Sequence, residues 1–153
     1  MSIGLSKHFN VKWAVDNDHM AAATLQANKT STETQIYTED AKTFLKKSVE
    51  GNPCYPVAGE PDHIHFSPPC KGFSRANRNG GKDDLRNNKQ TLLFINGLKF
   101  FRPKTASYEN VGGLVMDNYK GYLMSVVSSL LLLNYQVRVK VLTASNYGDP
   151  QNR

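Results

Sequence analysis

The chain predicts an α/β protein, a parallel sheet wound with helices on both faces. Three observations lead there. Strand-like and helix-like runs take turns from one end to the other, and the 153 residues suffice for one ordinary core. The composition, 39% hydrophobic, 21% charged and 10% aromatic, is that of a globular chain rather than a disordered one. No repeat or second domain is visible, so residues 1–153 are read as one domain or part of one.

"VKWAVD" (11–16) is a short apolar strand. The alanine-rich "HMAAATLQANK" (19–29) is helical, with Asp18 placed to cap it. "TQIYTED" (34–40) is a second strand, followed by a short helix carrying Phe44 and Leu45. Three prolines and two glycines make 50–62 a loop, and "HIHF" (63–66) is a third strand running into Pro68 and Pro69. Residues 70–88 lack apolar periodicity and hold Gly72, Gly80 and Gly81, which predicts a long loop. "KQTLLFINGLKFF" (89–101) carries a helical stripe that stops before Pro103. "TASYENV" (105–111) is a fourth strand and 117–134 a helix, its Leu130–Leu133 run reading as core. "YQVRVKVL" (135–142), with strict alternation, is a final strand.

In such sheets ligands bind beyond the carboxyl ends of the strands. Asp16, Asp40, Pro69–Cys70 and Glu109–Asn110 all lie at or just past a strand end. An acid at the end of the second strand of a nucleotide-binding half commonly takes ribose hydroxyls, and Asp16 suits that role as well as it suits a helix cap or solvated turn.

The net charge is +6, and its placement says more than its size. Between Lys71 and Lys104 nine basic residues face two acidic ones, whereas the rest carries ten basic and eleven acidic. The whole excess follows Cys70, as in a loop and helix that face a polyanion; a solvated charged loop is the plainer alternative. Two cysteines, Cys54 and Cys70, are too few for a disulfide framework, and no Cys/His cluster offers four zinc ligands. Free thiols in a reducing compartment follow. His63 and His65 share a strand face, but nothing nearby in the sequence completes a metal site, and packing is the simpler reading. The start has no signal-peptide pattern, and the longest apolar stretch, 121–133, falls short of the roughly 20 residues that span a bilayer. The expectation is a soluble intracellular chain with no membrane partner.

"PPCKGFSRAN" (68–77) resembles the catalytic motif of the DNA (cytosine-5) methyltransferases: a proline–cysteine pair, usually followed by glutamine, a small residue, Phe and Ser. "ENV" (109–111), after "FFRPKTASY", is similar to the family's Glu-Asn-Val motif, and "NYGDPQNR" (146–153) to the start of its Gln-x-Arg-x-Arg motif. "WAVDND" (13–18) resembles its ribose-binding strand end and "TED" (38–40) its adenine-contacting turn. Five motifs in order cover essentially the whole chain.

The resemblance implies the fold, the chemistry and the site. The fold is a class I S-adenosylmethionine-dependent methyltransferase (Rossmann-like) domain. Cys70 is the nucleophile that adds to C6 of a flipped cytosine so that C5 can take a methyl group. Glu109 acts at N3, Asn110 holds the loop around Cys70, and Arg153 contacts the cytosine carbonyl or the acid. S-adenosylmethionine is held by Asp16, Asn17 and Asp40, with Pro69 near the methyl donor. Double-stranded DNA meets Lys71, Arg75, Arg78, Lys82 and Arg86 on a basic loop that closes over it. Lys71 stands where most relatives have glutamine. The family's opening strand with its glycine-rich turn, and its target-recognition region, have no counterpart here, so the chain is expected to be a fragment of such a domain. Two alternatives stand beside this reading: a tRNA cytosine-5 methyltransferase, and a non-catalytic DNA-binding remnant. The location implied is the nucleus if the source is eukaryotic and the cytoplasm otherwise.

Overall fold

A computed structural model describes residues 7–29, 31–68 and 84–150, with the backbone alone for 84–90 and 118. The chain divides into two compact units, residues 1–62 with 100–103, and residues 63–99 with 104–153.

In the first unit, β1 (Trp13–Asp16) leads into α1 (His19–Asn28), and β2 (Gln35–Thr38) into α2 (Ala41–Val49). The two strands are parallel, in a register that sets Trp13 beside Gln35 and Asp16 beside Thr38. Both helices begin where the sequence supplies a cap. The Asp18 carboxylate accepts from the backbone N–H of Met20 at 2.7 Å and of Ala21 at 3.1 Å, and Asp40 accepts from that of Lys42 at 2.8 Å. Tyr37, Phe44 and Tyr55 form an aromatic cluster with ring centroids 4.8–5.6 Å apart. The Tyr37 hydroxyl donates to the Cys54 carbonyl, which ties the proline-rich loop to β2. Cys54 itself is an exposed free thiol.

In the second unit, β3 (His63–Phe66) pairs in parallel with β4 (Thr105–Tyr108), His63 beside Thr105 and Phe66 beside Tyr108. Strand alternation puts Phe66 and Tyr108 on one face, where both rings pack on Phe94 of α3 (Asp84–Phe101) at 5.4 and 5.1 Å. Buried residues recur along α3 at Thr91, Phe94, Leu98 and Phe101, the spacing of one helical stripe. After Phe101 the backbone turns left-handed at Arg102 (φ 49°), ending the helix ahead of Pro103 as expected. The chain past β4 makes 3-10 turns at Gly112–Val115 and Asp117–Tyr119, then α4 (Lys120–Leu132), which Asn134 closes at φ 64°.

Among the described residues the strands form two parallel pairs, β1–β2 and β3–β4, in keeping with an α/β chain of parallel strands. Three expectations are corrected. α3 begins at Asp84 rather than 89, because no glycine or proline interrupts the chain between Gly81 and Gly97 and the helix extends backward from its stripe. Segment 135–142 is not a strand: alternation makes it suited to a sheet, but no neighbouring strand completes its ladder among the described residues, and Val139 and Val141 are exposed. Leu131 and Leu132 are exposed, at 54% and 83%, since each helical residue turns about 100° and four consecutive leucines cannot share one buried face. Among the described residues no helix is long and apolar enough to cross a membrane.

Candidate active site at the strand ends

β3 and β4 end level with each other, and the backbone pairing runs one step further: the Glu109 N–H donates to the Phe66 carbonyl at 2.9 Å. Parallel register then places Ser67 and Glu109 side by side just past the strands. The Ser67 hydroxyl donates to Glu109 Oε2 at 2.5 Å, a short bond. Ser67 and Glu109 are exposed, so the carboxyl group is open to a ligand. Asn110 turns back on its own loop. Its Oδ1 accepts from the Val111 N–H at 2.8 Å, and its Nδ2 reaches the Tyr108 hydroxyl at 3.4 Å. Burial, with the Tyr108 hydroxyl beside it, pushes the Tyr122 phenol up and keeps it a neutral hydrogen-bonding group.

The face of β3–β4 away from Phe94 is polar. His63 Nδ1 lies 2.8 Å from Thr105 Oγ1, and the Ser107 hydroxyl lies 3.1 Å from His63 Nε2 and 2.8 Å from His65 Nδ1. The histidine pair is thus engaged by hydroxyls of the neighbouring strand. Burial lowers the pKa of both imidazoles; for His65 the neighbouring His63 adds to the effect and Glu109 opposes it. His65 Nε2 is buried with no hydrogen-bond partner.

In the first unit, Asp16 closes β1 and Asp40 follows β2, so parallel pairing brings both acids to the same end of the strand pair. Asp16 Oδ1 accepts from the Asp18 N–H at 2.9 Å, and Asn17 sits exposed inside that turn. Beside them Glu39 pairs with Lys47 at 2.6 Å, and Lys47 Nζ lies 2.9 Å from the Tyr55 hydroxyl. Burial pushes the Glu39 carboxyl up, but the hydrogen bonds from Lys47 and Tyr55 outweigh it and hold the carboxyl below its usual range. The same pairing raises Lys47.

Pro69, Cys70, Lys71, Arg75, Arg78, Lys82 and Arg153 lie outside the described residues. Arg86, expected on the loop, belongs to the first turns of α3 instead. Glu109 and Asn110 share the β4 end, and Asp16, Asn17 and Asp40 share the β1–β2 end. Ser67 escaped the sequence reading. Its signal was available: it lies two residues after His65 on the same strand face, opposite the acid that follows β4.

A family profile described as C-5 cytosine-specific DNA methylase matches residues 1–153. The chain is 36% identical over 122 residues to the type II methyltransferase M.AplI of Arthrospira platensis, covering 74% of this chain and 34% of that protein. It is 38% identical over 117 residues to DNA (cytosine-5)-methyltransferase 3 of Arabidopsis thaliana, covering 76% of this chain and 8% of the relative. DNA (cytosine-5)-methyltransferase 2 of the same plant aligns with 100% of this chain at 28% identity, over 12% of its own length. The chain therefore spans about a third or less of the length of these relatives. A profile match across all 153 residues, on parallel strand pairs whose ends carry the acids of the motifs, makes this chain a member of the C-5 cytosine-specific DNA methylase family.

Proposed function

We propose that the protein transfers a methyl group from S-adenosylmethionine to C5 of cytosine in double-stranded DNA, through a covalent bond between Cys70 and C6 of a flipped base. The observation that carries this reading is the Glu109 carboxyl group, held past the end of β4 against Ser67 on the strand that runs into Pro68–Pro69–Cys70.

The Cys70 thiolate forms a bond to C6, and the electron pair of the C5–C6 double bond shifts toward C5. Glu109 donates a hydrogen bond or proton at N3, where the displaced charge would otherwise gather. C5 would then take the methyl group as the sulfonium's S–CH3 bond breaks and the donor leaves as a neutral thioether. A base removes the C5 proton, N3 gives back any proton it took, and the returning electron pair expels the thiolate. Asn110, bonded to Val111 and Tyr108, keeps the loop after β4 in one shape. Arg153 meets the cytosine carbonyl or the acid. Arg75, Arg78 and Lys82 neutralise phosphates, with Lys71 and Arg86 adding to the same positive field.

The donor set fits S-adenosylmethionine, which supplies an electrophilic methyl group when bound. Asp16 and Asp40 place two acceptor groups at one end of the β1–β2 pair, suited to ribose hydroxyls and an adenine amino group. Each accepts a hydrogen bond from a backbone N–H, and a carboxylate can accept about four, so both keep capacity for a ligand. Asn17 would contact the adenine of the bound cofactor, and Pro69 is assigned to its methyl-donor end by the motif it belongs to. The fold this implies is the class I methyltransferase arrangement.

The test is trapping. The protein at its natural length is incubated with DNA or RNA carrying 5-fluorocytosine and S-adenosylmethionine. A covalent adduct on DNA that disappears in Cys70→Ser supports the reading, and an adduct on RNA alone overturns it. Residues 1–153 expressed by themselves are expected not to turn over, since they span at most 34% of the relatives named above; measurable methyl transfer by that piece overturns this expectation.

A further inference from the structure

We infer that Ser67 is a positioning residue for the acid: its hydroxyl fixes which oxygen of Glu109 faces the cytosine ring. The inference rests on the reading of Glu109 as the N3 acid. Glu109 is held at two points. Its backbone N–H is bonded to the Phe66 carbonyl at 2.9 Å, which sets the Cα position, and Oε2 takes the Ser67 hydroxyl at 2.5 Å, which sets the rotation of the carboxyl group. The two contacts come from adjacent residues of one strand end, so they move together.

The chemical consequence concerns the proton. A carboxylic acid has one hydroxyl oxygen and one carbonyl oxygen, and only the carbonyl oxygen is a good acceptor toward another hydroxyl. With Ser67 donating to Oε2, the proton given to N3 sits on Oε1. Without that donor the two oxygens are equivalent and the group rotates freely, so about half the orientations present an oxygen without the proton. An exposed carboxyl group has water to compete for its lone pairs, and a hydroxyl held at 2.5 Å by the neighbouring strand end is the partner that outlasts that competition. The neighbouring hydroxyl on this face, Ser107, is already engaged with His63 and His65, which leaves Ser67 to act on the acid.

The experiment combines a spectrum with a rate. Glutamate labelled at the carboxyl carbon is introduced into the protein at its natural length, and the Glu109 resonance is assigned with Glu109→Gln. At neutral pH Ser67→Ala is expected to displace that resonance while Ser67→Thr, which keeps the hydroxyl, leaves it in place. Single-turnover methyl transfer to DNA falls about tenfold in Ser67→Ala and stays within about twofold in Ser67→Thr, with the KM for DNA unchanged, as suits a lost hydrogen bond to a charged group. In the Glu109→Gln background Ser67→Ala costs nothing further. If the alanine variant does not fold, Ser67→Val against Ser67→Thr makes the same comparison at nearly constant volume. An unmoved resonance or an unchanged rate overturns the inference, and so does an equal loss in the Glu109→Gln background, which would place the action of Ser67 elsewhere. A wild-type protein that forms no adduct on fluorinated DNA overturns the reading of Glu109 itself and takes the positioning role with it. That failure shows before any Ser67 variant is made.

Discussion

His63 and His65 line the polar side of the β3–β4 pair, with both ring nitrogens of His63 and the Nδ1 of His65 engaged by Thr105 and Ser107. Because burial lowers their pKa in the folded chain, they bind protons less readily there than when unfolded. The sign follows from linkage. A group depressed in the folded state stabilises the fold above its unfolded pKa, here 6.5, and that contribution is lost as pH falls through the folded value. Urea midpoints measured from pH 7.5 down to about 5 should therefore decline more steeply for the wild type than for the His63→Gln/His65→Gln variant. Equal slopes would show that the imidazoles play no part. The same pair illustrates what one residue reveals in sequence. Alternate histidines put two imidazoles on one strand face, but their hydroxyl partners lie 42 residues away on β4, a distance no local pattern bridges.

At the scale of elements, the caps separate stability from ligand binding. Asp18 satisfies two backbone donors at the start of α1, so Asp18→Ala is expected to cost about 1 kcal/mol in thermal or urea unfolding with little change in cofactor affinity. Asp16→Asn keeps an oxygen for the Asp18 N–H and should leave the unfolding midpoint nearly unchanged. If Asp16 holds ribose hydroxyls, calorimetry should show S-adenosylmethionine binding about tenfold more weakly in that variant. Weakening of both variants to the same degree would return Asp16 to a purely structural turn. The element boundaries were legible where a cap or a breaker stood. Asp18 and Pro103 marked the start of α1 and the end of α3 within a residue or two, whereas Asp40, read as the end of a strand, caps α2 instead. They failed where the signal was purely compositional: polar residues 84–88 resembled a loop, yet α3 includes them.

Across the whole chain the dominant physical feature is charge. The segment from Lys71 to Lys104 carries an excess of seven positive charges on a chain whose remainder is nearly neutral. DNA affinity should accordingly fall steeply with salt, and Arg75→Ala/Arg78→Ala should lower the slope of log K against log salt by about two. A slope unchanged by both substitutions would remove those arginines from the DNA contact. Filter binding across a salt series at fixed pH is sufficient to read it.

What the sequence determined by itself was the alternation of strands and helices, the caps, the position of the acids at strand ends and the motif set that carries the family. These depend on local chemistry or on ordered short patterns, both present in a linear chain. Tertiary structure decided which strands pair: β1 with β2 and β3 with β4, both in parallel. It left 135–142 without a ladder despite its alternation, because a strand forms only where another backbone supplies the missing hydrogen bonds. It also brought Ser67 to Glu109 across 42 residues of sequence. Register between distant strands is set by packing on a shared core, here Phe66 and Tyr108 on Phe94, and that contact exists only once the chain has folded.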